Sequence, residues 1–304
     1  MSNLTLKCEQ NCDVLESSGV VSLIVEAKEK ELGGFTVRRV LPSVQRKMVG
    51  PWIFFDHMGP AHFPAGDGIN VRPHPHIGIA TVTYLFEGEI LHRDSLGSYQ
   101  AIRPGDINLM VAGRGIVHSE RERPDMTQTE RRIHGLQLWL ALPENQEEIE
   151  PAFYHYPDST IPETLIDGVK VRIMMGSAYQ HTSPVKTHSE TLYLEAHLQA
   201  GQRLILPLVE ERAVYVAQGE LTVGKTIIPQ YSMAFFDTDA EVEVKASKET
   251  RLALVGGERF KPRYIEWNFV SSRKERIEQA KQDWRQCNFD KVTGDEEEFI
   301  PLPA

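Results

Sequence analysis

The sequence predicts an all-β chain of two related barrels in tandem, closed off by one C-terminal helix. Three observations predict it. Short runs rich in β-branched and aromatic residues alternate with Gly, Pro, Asn and Asp, the pattern of a sandwich or closed barrel. The run Tyr84-Leu85-Phe86-Glu87-Gly88-Glu89-Ile90 has a counterpart in Tyr215-Val216-Ala217-Gln218-Gly219-Glu220-Leu221, and a Pro-containing turn and a further apolar strand follow each, so one unit is used twice. After Ser272, apolar residues recur at three- and four-residue spacing, which is the period of a helix.

Taken in order, residues 20–25, 79–86, 107–111 and 136–140 read as strands of the first unit. Residues 144–151 are polar and acidic and lie between two prolines, which fits an interdomain linker. The expected organisation is a first barrel over residues 1–143, the linker over 144–151, a second barrel over 152–258, and a helix with its tail over 259–304. Ser272-Arg273-Lys274-Glu275 is a capping-box signature. Ile277, Ala280, Lys281 and Trp284 then set one packed face on a helix running to about Arg285. The acidic tail 295–298 is expected to be solvated, and so is the mixed cluster Arg121-Glu122-Arg123 with Arg131-Arg132.

Composition excludes several classes of function. At 304 residues the chain can bury two cores of ordinary size. A formal net charge of −10 disfavours direct nucleic-acid binding, which needs clustered Lys and Arg against phosphate. No run of about eighteen apolar residues exists, so no membrane-spanning helix is expected. The first residues lack the apolar segment of a signal peptide, and there are only three cysteines. The expectation is therefore a cytoplasmic protein with free thiols at Cys8, Cys12 and Cys287.

Two short stretches carry chemistry. Gly68 is followed by His74-Pro75-His76, and Pro104-Gly105-Asp106 leads to His118-Ser119-Glu120. On a strand, residues i and i+2 share a face, so each pair makes a two-pronged clamp. Two such strands side by side aim three imidazoles and one carboxylate at one point. That donor set suits Fe, Ni, Mn, Cu or Zn, and the lack of Cys argues against a structural zinc or iron–sulfur centre. If Gly201 corresponds to Gly68, the two first-stretch histidines fall on Pro207 and Val209, which bind no metal. The second barrel is therefore expected to serve packing.

The spacing Gly-x5-His-x-His, then Pro-Gly-Asp, then His118, resembles the two motifs of the cupin superfamily, and within it the pirin family. The run from Val49 to Pro60 is similar to the pirin opening segment, Arg72 to His76 to its first motif, and Ala112 to Glu120 to its second. His134 to Trp139 resembles a strand that follows. The resemblance implies a bicupin fold and an iron ion, Fe(II), held by His74, His76, His118 and Glu120. It also implies a quercetin 2,3-dioxygenase-type activity on a flavonol, or else a regulator that docks on a protein partner as a transcription co-regulator or metabolic-enzyme modulator. One position departs from the family pattern: Ala80 stands where pirins usually carry a Glu. Without that carboxylate, the expected catalytic base is Glu120 shifting off the metal or else a metal-bound hydroxide, and Ala80→Glu is expected to raise turnover. His57 and His134 are expected to serve structural hydrogen bonding.

Overall fold

A computed structural model of the protein describes residues 19–31, 35–236 and 239–303. Each half builds a seven-stranded antiparallel sheet facing a four-stranded one. In the first half the large sheet runs Ala152–Tyr156, Ile107–Val111, Ile79–Glu87, Arg131–Ala141, Trp52–Phe63, Thr36–Leu41, Lys28–Glu31. The small sheet runs Asn70–His76, Ile116–Arg121, Ile90–Asp94, Tyr99–Ile102. The second half repeats the plan, and the single α-helix among the described residues is Lys274–Arg285. The fold is thus two cupin barrels in tandem with a C-terminal helix.

The internal repeat marks the same corner in both barrels. Gly88 and Gly219 each turn the chain from large to small sheet with φ near +90°. A Cβ there would stand 2.4 Å from the Arg132 carbonyl or 2.3 Å from the Glu249 carbonyl, so only glycine fits.

The strands do not stay within the expected segments. Leu23–Glu26 pairs with Ser232–Phe236 in the second barrel, and Ala152–Tyr156 pairs with Ile107–Val111 in the first. Each barrel therefore borrows an edge strand from the other's stretch of sequence. The segment 144–151, expected to be an interdomain linker, joins two strands of the same sheet. Its Glu147 is 2% exposed and ion-paired to Arg263 at 2.7 Å. The same carboxylate accepts from the Ser271 and Ser272 hydroxyls and the Ser272 N–H. Ser272 is thereby diverted from the helix it was expected to cap, and the N-cap is Arg273, with no side-chain cap.

The large sheets pack face to face. Val82, Tyr84, Leu109 and Leu138 of the first meet Tyr193, Tyr215, Met233 and Phe235 of the second in one apolar cluster, and Trp52 Nε1 donates to carbonyls of Leu192 and Gly256 in the other barrel. Aliphatic side chains such as Val171, Leu194, Val214 and Leu254 fill the second barrel. The helix docks through Ile277, Ala280 and Trp284 on Ile77, Val117 and Phe269.

The tail folds back over the outer face of the small sheet, so Asp295 is drawn in while Glu296, Glu297 and Glu298 stay exposed as expected, and Arg121, Arg123 and Arg131 of the basic cluster are half-buried in ion pairs where a solvated loop was expected. Arg121 clamps Asp295 through two hydrogen bonds of 2.6 Å and reaches Glu298, and Ile300 N–H bonds the Pro73 carbonyl. Arg131 pairs with Glu122, and Arg123 with Glu89. Cys287 is an exposed free thiol, while Cys8 and Cys12 lie outside the described residues. Among the described residues no helix is long and apolar enough to cross a membrane.

Candidate metal centre

The small sheet of the first barrel brings His74, His76 and His118 together. His74 stands directly opposite His118 across the pair Asn70–His76 and Ile116–Arg121, and His76 opposite Ile116. Period-two alternation turns all three inward. Their nearest ring nitrogens lie within 4.8 Å of one another, and all three side chains are buried. Trp139 abuts the His76 ring edge-on at 5.0 Å between centroids, so the group rests against an apolar wall with Phe54, Met110 and Ile116.

The lone pairs are accounted for one ring at a time. His74 Nδ1–H donates to the Arg72 carbonyl at 2.9 Å, which leaves Nε2 the lone pair. His76 Nδ1 and His118 Nε2 are buried with no hydrogen-bond partner. Buried polar atoms are nearly always satisfied, so two orphans converging within one cluster are what a cation would satisfy. Burial lowers the His74 pKa to about 3 and sets His76 and His118 well below the usual value. The rings are thus held neutral, the form that binds a metal.

Glu120 lies outside this tight group. The ladder slips by a bulge between His118 and Glu120, and the glutamate stands opposite Val71 instead of next in line. It is 6% exposed, accepts from Gln137 Nε2 at 3.0 Å, and faces a small cleft with Val37, Asp56 and Met58. Burial raises its pKa. Sequence reasoning passed over Gln137 and also His92, which stands opposite Glu120 on the neighbouring strand.

Ala80 is not beside the metal group. Its cross-strand partners are Val111 and Leu140, and all three belong to the cluster between the barrels. Thr81 is the inward-facing neighbour, flanked by Met110 and Trp139. The expected loss of a pocket carboxylate at position 80 is therefore corrected: that side chain points the other way. A cavity of about 250 Å³ exists, but it lies under the C-terminal tail, bounded by Pro73, Val117, Trp284 and Phe289.

His57 and His134 pair with each other at 2.7 Å between Nε2 atoms, and His57 Nδ1 reaches Tyr215 Oη at 2.9 Å, so they do join the barrels by hydrogen bonds. Burial, then His134, Arg38 and Arg251, lower the His57 pKa to about 3. An unfolded histidine takes up its proton near pH 6.5, so as pH falls below that the unfolded chain binds a proton the folded chain refuses. Stability from this group is complete above pH 6.5 and is lost as pH drops toward 3, at up to about 1.4 kcal/mol per pH unit. Urea-unfolding midpoints measured from pH 8 to 4 should be level and then fall. His57→Gln should make the fall shallower, His74, His76 and His118 leaving the rest of it.

The chain matches a family model described as Pirin over residues 34–140 and one described as Pirin C-terminal cupin domain over residues 193–290. It is 45% identical over 288 residues to a pirin-like protein of Caulobacter vibrioides, covering 93% of this chain and 100% of that protein. A crystal structure of quercetin 2,3-dioxygenase from Acinetobacter baumannii superposes with a TM-score of 0.86 at 35% identity, over 92% of this chain and 94% of that one. A bacterial pirin from Escherichia coli in complex with nickel(II) shares the fold at a TM-score of 0.61 and 18% identity, over 78% of this chain and 99% of that one.

Proposed function

The chain belongs to the pirin family, and from that premise we propose that it is a metal-dependent dioxygenase of the quercetin 2,3-dioxygenase type, acting on a flavonol-like or other enolic molecule. One observation carries the reading: three buried, neutral imidazoles converge, with orphaned nitrogens on His76 and His118. His74, His76 and His118 would hold the ion, and Glu120 would close the set as a fourth ligand. Three neutral nitrogens and one carboxylate suit Fe, Ni, Mn, Cu or Zn, and the family resemblance puts Fe(II) first among them. When bound, Fe(II) supplies the redox chemistry that lets dioxygen react with an enolic substrate.

The rest falls to the chain. Trp139, Phe54, Met110 and Ile116 keep bulk water from the ligand face. Glu120, its pKa raised by burial, is suited to take the proton of the substrate hydroxyl, and Gln137 holds the carboxylate in its orientation.

A second reading is an iron-containing regulator that docks on a protein partner, and the size of the cleft keeps it beside the first. The cleft beside Glu120 has about 10 Å³, room for about one water. Small-molecule sites run from roughly 300 Å³ upward, so a flavonol enters only if the wall of Phe35, Met58, Ile69 and Ile90 opens.

Oxygen uptake by iron-reconstituted protein with quercetin separates the two. We expect one ion per chain and flavonol-dependent uptake, with metal lost in the double variant His74→Ala, His118→Ala. Iron-loaded protein that consumes no oxygen across a flavonol panel would leave the regulator reading in place.

A further inference from the structure

We infer that Asp94 and His92 are positioning residues that hold His118 in the one tautomer able to bind a metal. The inference rests on the reading of His118 as a ligand. His92 and Asp94 share a face of the strand Ile90–Asp94, and His118 and Glu120 stand opposite them in register, with His118 facing Asp94 and Glu120 facing His92. All four are buried.

For neutral imidazoles the hydrogen bonds allow one arrangement of protons. Asp94 Oδ1 accepts from the N–H groups of Leu96 and Ser98, both at 2.9 Å, and Oδ2 lies 2.9 Å from His92 Nε2. A carboxylate only accepts, so His92 carries its proton on Nε2 and presents a lone pair at Nδ1. That nitrogen lies 3.4 Å from His118 Nδ1, which must then be the donor. With its proton on Nδ1, His118 keeps a lone pair on Nε2, the buried atom without a partner. Phe153 stacks on the His92 ring at 4.3 Å and 14°, which fixes the plane through which this order is passed. Partners behind a metal ligand commonly set its tautomer and orientation in this way.

Asp94→Asn tests this with little disturbance. The amide oxygen can still accept from Leu96 and Ser98, but an NH₂ replaces the acceptor facing His92 Nε2. His92 must then protonate Nδ1 instead, and His118 is pushed to carry its proton on Nε2, where the metal would bind. By chelator competition with Fe(II) and with Ni(II), affinity is expected to fall about 10–100-fold in Asp94→Asn. In the metal-free protein, ¹⁵N NMR of labelled histidine should show the His118 proton move from Nδ1 to Nε2, a change that a merely structural aspartate would not produce. In a His92→Phe background the same aspartate change should cost nothing further, because its effect passes through His92. Unchanged affinity together with an unchanged His118 tautomer would overturn the inference. His118→Ala is the control: if it leaves metal affinity intact, the ligand reading itself has failed, whereas loss in His118→Ala beside full affinity in Asp94→Asn condemns only the relay.

Discussion

Ala80→Glu is expected to destabilise the protein by several kcal/mol, the scale of an uncompensated buried charge, without raising turnover. The Ala80 side chain is 1% exposed and packs where the two large sheets meet, with Val111 and Leu140 across from it and Val82 and Tyr84 following on the same face. A carboxylate there would find hydrocarbon on every side and would either stay protonated or force the barrels apart. Thermal unfolding should drop by on the order of 10 °C for a chain of this size. The metal content of the folded fraction should equal that of the parent. A variant that unfolds at the parental temperature and turns over faster would show that position 80 reaches the ligand face after all.

Glu120→Gln is expected to lower flavonol-dependent oxygen uptake by about 10² to 10⁴, the usual worth of a positioned general base. Metal should be retained, because His74, His76 and His118 form their group without the carboxylate. Gln is nearly isosteric and can keep its partner Gln137 at the cleft, so stability should change little. The discriminating comparison is with His118→Ala, which should lose metal and uptake together, beyond the roughly 10–100-fold that a supporting residue costs. Equal inactivity of parent and Glu120→Gln while both hold iron would sink the enzyme reading.

The contrast between these two positions marks what could be read in advance. His74, His76 and His118 were legible because a strand's period of two is strict while the strand lasts, and one ladder joins the two strands that carry them. Ala80 was misread because the count from His76 crosses Gly78, which turns the chain at φ +69° and starts a new strand with its own alternation. A Cβ at Gly78 would meet the Val270 carbonyl at 2.0 Å, so the third partner of that turn comes from far along the sequence. Glu120 was placed with the ligands by the same period-two rule, and a bulge within the strand set it apart. His92 could have been found: His92-Arg93-Asp94 is another i, i+2 pair of polar residues on a strand, overlooked because an aspartate two residues from a histidine forms no familiar motif. The two barrels were legible in the repeated Gly-Glu corners. The buried role of Glu147 was not, since its partners Arg263, Ser271 and Ser272 lie more than a hundred residues away and an acidic stretch between prolines looks like solvated chain.

The exchanged edge strands dictate an order of assembly on the ribosome. The segment Leu23–Glu26 is made early, yet the chain must grow through Ser232–Phe236 before its partner exists; Ser22 and the Phe235 carbonyl it bonds are 213 residues apart. The first barrel can complete its large sheet as soon as residue 156 has emerged, because Ala152–Tyr156 follows its partner Ile107–Val111 closely. The metal strands, His74 to Glu120, are then already paired, while the helix and tail that cover their outer face are still to be made. A nascent chain stalled after the first barrel should present its three histidines in place beside an uncovered apolar face, the state in which aggregation competes with completion.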